Sequence, residues 1–152
     1  MMGNSAFTEM MLTDLIPMIE KTYRALPGAA NRAMAGLSMG GMQTHNTTMA
    51  NLDKFAYIGL FSGGTFSLDD IKQTPGFHDK VKLAFVSFGS RELEPGRMMG
   101  PPGGPRQDPK ANAEALKAAG INSVFYVSPG TAHEFLSWRR ALREFAPLLF
   151  KQ

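Results

Sequence analysis

Apolar residues recur at helical spacing from early in the chain. Leu12, Leu15, Ile16, Ile19, Tyr23 and Leu26 share one face and predict a helix from about Thr8 to Leu26. Pro17 lies inside that pattern and predicts a kink or a late helix start, and Pro27-Gly28 ends it. The pattern then changes to short apolar runs bounded by turn residues. Arg32 to Leu37, Phe55 to Phe61, Lys82 to Phe88 and Ser123 to Val127 each read as a short buried strand.

Helical stretches separate these runs. Met39 to Asn51 follows the first strand. Asp108-Pro109 opens another helix with a capping acid and a proline at its first position, and Gly120 closes it. The last helix runs from about Glu134 to Phe150, with Phe135, Trp138, Leu142, Phe145 and Leu149 as the face to bury. Strands alternating with helices predict an α/β fold, a mainly parallel sheet of about four strands flanked by helices. Pro95 to Pro105 breaks the pattern and reads as a long surface loop, poorly ordered or packed on another chain, and placed to rim a pocket.

The junction between the first strand and its helix carries Gly36-Leu37-Ser38-Met39-Gly40-Gly41. G-x-S-x-G between a strand and a helix forces a sharp turn that exposes the serine hydroxyl above the sheet. Gly36 and Gly40 are expected to permit close strand–helix contact around the strained serine. The motif also arises often by chance, as a glycine-rich turn with an incidental serine, so its weight depends on the rest of the chain.

Composition narrows the classes. At 152 residues the chain is one domain by size, and 43% hydrophobic with 19% charged residues is ordinary for a globular protein. A net charge of +3 without a basic block disfavours nucleic acid as a partner. No apolar stretch approaches the ~20 residues that span a bilayer, so no membrane association is expected. Met1 to Ser5 lacks the charged and apolar regions of a signal peptide; the compartment stays open, cytoplasmic or secreted. Zero cysteines remove disulfides and thiolate metal sites, and neither a metal nor a cofactor is implied. Eleven methionines scatter through apolar positions as core filling.

Serine needs a general base, usually a histidine oriented by a carboxylate. His45 lies seven residues after Ser38 on the same helix, roughly 10 Å along the axis and out of reach. His78 precedes a strand and falls at the wrong edge of a parallel sheet. His133 follows the last strand, and sites in open α/β sheets lie beyond the carboxyl ends of the strands. The carboxylate is expected past the third strand, where Glu92 is preferred and Glu94 is the alternative. Ser38, Glu92, His133 is the serine–acid–histidine chain order of α/β-hydrolases.

With these residues in place the chain resembles the C-terminal part of the esterase D-like α/β-hydrolases, especially feruloyl and acetylxylan esterases of carbohydrate esterase family one. The resemblance rests on Leu15-Ile16-Pro17, Arg32 to Gly41, Phe61-Ser62-Gly63-Gly64, Gly130 to Glu134, Trp138 to Leu142 and Phe145 to Phe150. It implies a serine carboxylesterase acting on short acyl or aromatic esters, small or carried on carbohydrate, such as acetyl or feruloyl esters of plant cell-wall polysaccharide, with the Met39 N–H stabilising the oxyanion. The alternatives are a catalytically weak fragment or interaction module, or an acyltransferase using the same residues. Two departures stand out: the family usually carries aspartate where Glu92 stands, and its N-terminal strands have no counterpart in the chain. The resemblance then places the first strand at an open sheet edge, which predicts a homo-oligomer, a dimer, in which a second copy or a rearranged N-terminal helix covers that edge.

Overall fold

The computed structural model describes residues 2–95 and 108–151, the first few by their backbone alone. Four parallel strands form one sheet in the order β1-β2-β3-β4: β1 Ala33–Leu37, β2 Tyr57–Phe61, β3 Leu83–Gly89 and β4 Ser123–Ser128. Each matches an expected apolar run to within two residues. The strands are in register at their carboxyl ends, Leu37 beside Phe61 and Phe61 beside Ser87. The loops that leave β1, β2 and β3 therefore emerge side by side.

A parallel sheet is covered on both faces, and the side chains divide by alternation. Ile58, Leu60, Ala84 and Val86 point into one core with Leu52, Phe66, Phe77, Leu116 and Ile121. Tyr57, Phe61, Leu83 and Phe85 point into the other, with Ala141 and Phe145. Helix α3 (Met39–Met49) packs on β1 and β2, and α6 (Pro109–Ala118) packs on β4. Helix α7 (Phe135–Phe145) crosses the opposite face. Two short helices that apolar periodicity did not mark, α4 (Leu68–Lys72) and α5 (Phe77–Lys80), lead into β3. The first is fixed by a capping box between Ser67 and Asp70.

The N-terminal helix departs from expectation. It begins at Met2 and ends at Thr22, as α1 (Met2–Met10) and α2 (Ile16–Thr22) joined by a π-helical turn over Met11–Leu15. Pro17 offers no N–H to the helix. The chain absorbs that gap by widening the preceding turn, so that the Ile16 N–H bonds the Met11 carbonyl five residues back. The apolar stripe is only partly covered: Leu12 and Ile16 are half-buried, while Leu15, Ile19, Tyr23 and Leu26 are exposed. The helix is held through polar contacts, Thr8 Oγ1 to Thr47 Oγ1 at 2.7 Å and an ion pair between Glu20 and Arg32.

The last helix is also shorter than expected. It stops at Phe145 and continues as a 3-10 turn over Ala146–Leu148, because Pro147 cannot donate to an α-helical ladder. Phe145 is buried and Trp138 is half-buried, but Phe135 and Leu142 face solvent. Most of the expected Pro95 to Pro105 loop lies outside the described residues.

Candidate active site

Four loops at the carboxyl edge of the sheet each deliver one polar side chain to the same place. Ser38 leaves β1, Ser62 leaves β2, Glu92 follows β3, and His133 follows β4. This is where an open parallel sheet offers a crevice.

Ser38 sits at φ 53°, ψ −121°, a conformation that L-residues avoid and that costs of order 1–3 kcal/mol. Its N–H bonds the Phe61 carbonyl at 2.8 Å, and its own carbonyl accepts the Gly41 N–H at 3.0 Å. The turn is tight enough to need missing side chains. A Cβ on Gly36 would lie 2.2 Å from the Gly40 carbonyl oxygen, and one on Gly63 would lie 2.4 Å from the Ser38 oxygen. Gly40 departs from the expectation: a Cβ there meets nothing within 4 Å, and the crowded glycine of the helix is Gly41, packed on Gly63. Gly40 contributes its backbone to the close approach of Gly36, not a missing side chain.

Ser38 Oγ lies 2.8 Å from His133 Nε2, and His133 Nδ1 lies 2.7 Å from Glu92 Oε1. Both distances are in the range of short hydrogen bonds. Glu92 is thus the carboxylate that faces the imidazole, and Glu94 follows it at the end of the same 3-10 turn, Ser90–Leu93. His45 and His78 make their contacts elsewhere, the first set aside by its spacing from Ser38 and the second by its place before a strand. His45 packs its ring on Phe66 at 5.3 Å, and His78 lies 3.6 Å from Asp79, both exposed, on α5.

The histidine loop is stitched to the acid turn along its length. The Arg91 N–H donates to the Thr131 carbonyl at 2.9 Å, and the Gly130 N–H donates to Ser90 Oγ at 2.9 Å. Ser137 Oγ, at the start of α7, lies 2.6 Å from both Thr131 Oγ1 and the Ala132 carbonyl. A Cβ on Gly89 would lie 2.5 Å from the Thr131 oxygen, so this seam closes only over glycine. His133 keeps 45% of its side chain exposed while Glu92 keeps 13%. Solvent therefore reaches the histidine, and the carboxylate is largely enclosed. Met39 begins α3, where the first helical N–H groups have no intrahelical acceptor.

Two residues in this network were not assigned a site role from the sequence. Ser62 Oγ donates to Glu92 Oε2 at 2.8 Å, and Trp138 Nε1 donates to Ser62 Oγ at 3.0 Å. Ser62 and Trp138 both lie within stretches that carry the resemblance, and Trp138 is also one of the apolar positions expected on the buried face of the last helix. Ser62 does leave one local signal, a serine before two glycines at the end of an apolar run.

Residues 2–149 match a family model described as Putative esterase. An endo-1,4-beta-xylanase/feruloyl esterase of Xylanibacter ruminicola is 43% identical over 145 residues, which is 95% of this chain and 18% of that protein. Among solved structures, a CE1 ferulic acid esterase from Anaeromyces mucronatus superposes with a TM-score of 0.67 at 19% identity, covering 95% of this chain and 53% of that one. The feruloyl esterase module from Clostridium thermocellum, as a mutant complexed with sinapinate, gives 0.62 at 20% identity, covering 97% and 59%. S-formylglutathione hydrolase from Staphylococcus aureus gives 0.57 at 15% identity, covering 95% and 65%. At these identities the structural likeness is one of fold. The chain spans less than a fifth of the length of the curated relative and under two thirds of these solved chains.

Proposed function

We propose that this chain, which belongs to the esterase family matched over residues 2–149, is a serine carboxylesterase. The observation that carries the reading is the continuous relay of Ser38 Oγ, His133 Nε2, His133 Nδ1 and Glu92 Oε1, with links of 2.8 and 2.7 Å. In the proposed reaction Ser38 Oγ attacks the ester carbonyl carbon while His133 Nε2 takes its proton. Glu92 holds the ring so that Nε2 faces the serine, and it balances the imidazolium that forms. The carbonyl oxygen becomes an oxyanion against the Met39 N–H, a donor already fixed by the helix start. The intermediate collapses, His133 gives the proton to the departing alcohol, and an acyl-serine remains. Water then repeats the sequence, with His133 as base, to release the acid and free Ser38.

The substrate class proposed is short acyl or aromatic esters, with acetyl and feruloyl esters of plant cell-wall polysaccharide foremost. The half-exposed histidine fits a site open enough for an ester on a large carbohydrate, and the xylanase/feruloyl esterase relative points the same way. The test is hydrolysis of a chromogenic acetate or butyrate ester, with a methyl ferulate assay beside it. Turnover that disappears in Ser38→Ala, together with fluorophosphonate labelling at Ser38, supports the reading. Folded protein with no turnover above the Ser38→Ala control sinks it.

A further inference from the structure

Glu92 has one more rotatable bond than aspartate, and a carboxylate that swings cannot hold an imidazole in one orientation. Its Oε1 faces His133, so its direction depends on what holds Oε2. Two donors do so: the Gly89 N–H at 2.7 Å, which folds the side chain back over its own turn, and the Ser62 hydroxyl at 2.8 Å. A hydroxyl rotates, and here its rotor is set from behind. The Trp138 indole N–H occupies a lone pair of Ser62 Oγ at 3.0 Å, leaving the hydroxyl proton to point at Glu92. The same indole stands edge-on to the His133 ring, centroids 5.1 Å apart at 87°. Trp138 thus touches the histidine directly and reaches the carboxylate through Ser62.

The backbone of Ser62 adds an independent observation. Its φ is 49°, the left-handed region that glycine occupies without strain, and the next residues along are Gly63 and Gly64. Glycine would satisfy this turn with less strain than serine does. The side chain is accounted for by its hydroxyl, which is 9% exposed as a residue and bonded on both sides. We infer that Ser62 and Trp138 are positioning residues for the ester-hydrolysing relay, acting through Glu92 to hold His133 against Ser38.

This inference rests on the serine esterase reading, and the experiment separates the two. Ser62→Gly relieves the backbone but removes a hydroxyl bonded on both sides, and with these effects opposed its melting temperature is expected close to that of the unaltered chain. Its kcat for a chromogenic ester is expected to fall about tenfold, the scale of one hydrogen bond to a charged group, with KM within about twofold. Trp138→Phe keeps a ring and loses the N–H. It is expected to lower kcat by about threefold and to add nothing on top of Ser62→Gly, since the two act in series. In a Glu92→Ala background the effect of Ser62→Gly is expected to shrink below about twofold. Unchanged kcat in Ser62→Gly, or a tenfold loss that persists without Glu92, overturns the inference while leaving the esterase reading intact. Absence of both turnover and fluorophosphonate labelling in the unaltered chain removes that reading and the inference with it.

Discussion

Glu92 shows how much one side chain here depends on its partners. Replacing it by glutamine keeps its shape and removes the charge that balances the imidazolium. In the proposed relay Glu92→Gln is expected to reduce kcat by about 10³–10⁴, with the melting temperature nearly unchanged, checked by ester turnover beside thermal denaturation. The positions of Ser38, Glu92 and His133 were readable because each is fixed by chain order relative to a strand end, and strand ends are local features. Ser62 and Trp138 were not readable in the same way. Their meeting with Glu92 depends on β2, β3 and the first turns of α7 lying side by side, and no spacing along the chain encodes that convergence. Gly40 shows the reverse error. The motif points to it as a crowded glycine, but the crowding is decided by Gly63, which arrives from the next strand.

At the scale of elements, periodicity located the strands well because a short apolar run between turn residues has few other uses. It was less informative about helix faces. It told that Leu12 to Leu26 form an apolar stripe, not whether anything would meet that stripe. In α7 the same pattern ranked Phe135 and Phe145 alike, yet one is exposed and the other is 2% exposed. The difference is where the helix crosses the sheet. Phe145 lies over Gly59, with its ring centroid 5.7 Å from that of Phe61 and 5.2 Å from that of Phe85. Gly59 leaves the space the ring fills: a Cβ there would come within 3.1 Å of Phe145 Cζ. Phe145→Ala is therefore expected to destabilise the chain by about 3–5 kcal/mol, read from urea unfolding, because the aromatic cluster cannot collapse onto the gap. Phe135→Ala, at the exposed start of the helix, is expected to change stability by less than about 0.5 kcal/mol.

For the molecule as a whole the open question is what meets the outer edge of β1. The Ser38 N–H points to Phe61 and the Arg32 carbonyl accepts from Ala56, so even-numbered backbone groups face β2. By alternation the N–H and C=O groups of Ala33, Ala35 and Leu37 face away from the sheet. Ala35 and Leu37 are exposed, since α7 packs mainly on β2, β3 and β4. The stripe of Leu15, Ile19, Tyr23 and Leu26 is open as well, with Tyr23 63% and Leu26 73% exposed. An apolar strand with a free hydrogen-bonding edge is a template for pairing, and two copies of one edge satisfy each other about a two-fold axis. We expect a homodimer in which two β1 strands pair antiparallel and join the two four-stranded sheets. Light scattering at micromolar concentration should then give twice the chain mass. Ala35→Pro removes an outward N–H without touching the β1–β2 ladder, so it is expected to yield a folded monomer. A chain-mass particle with a single cooperative thermal transition, before any substitution, would rule the dimer out.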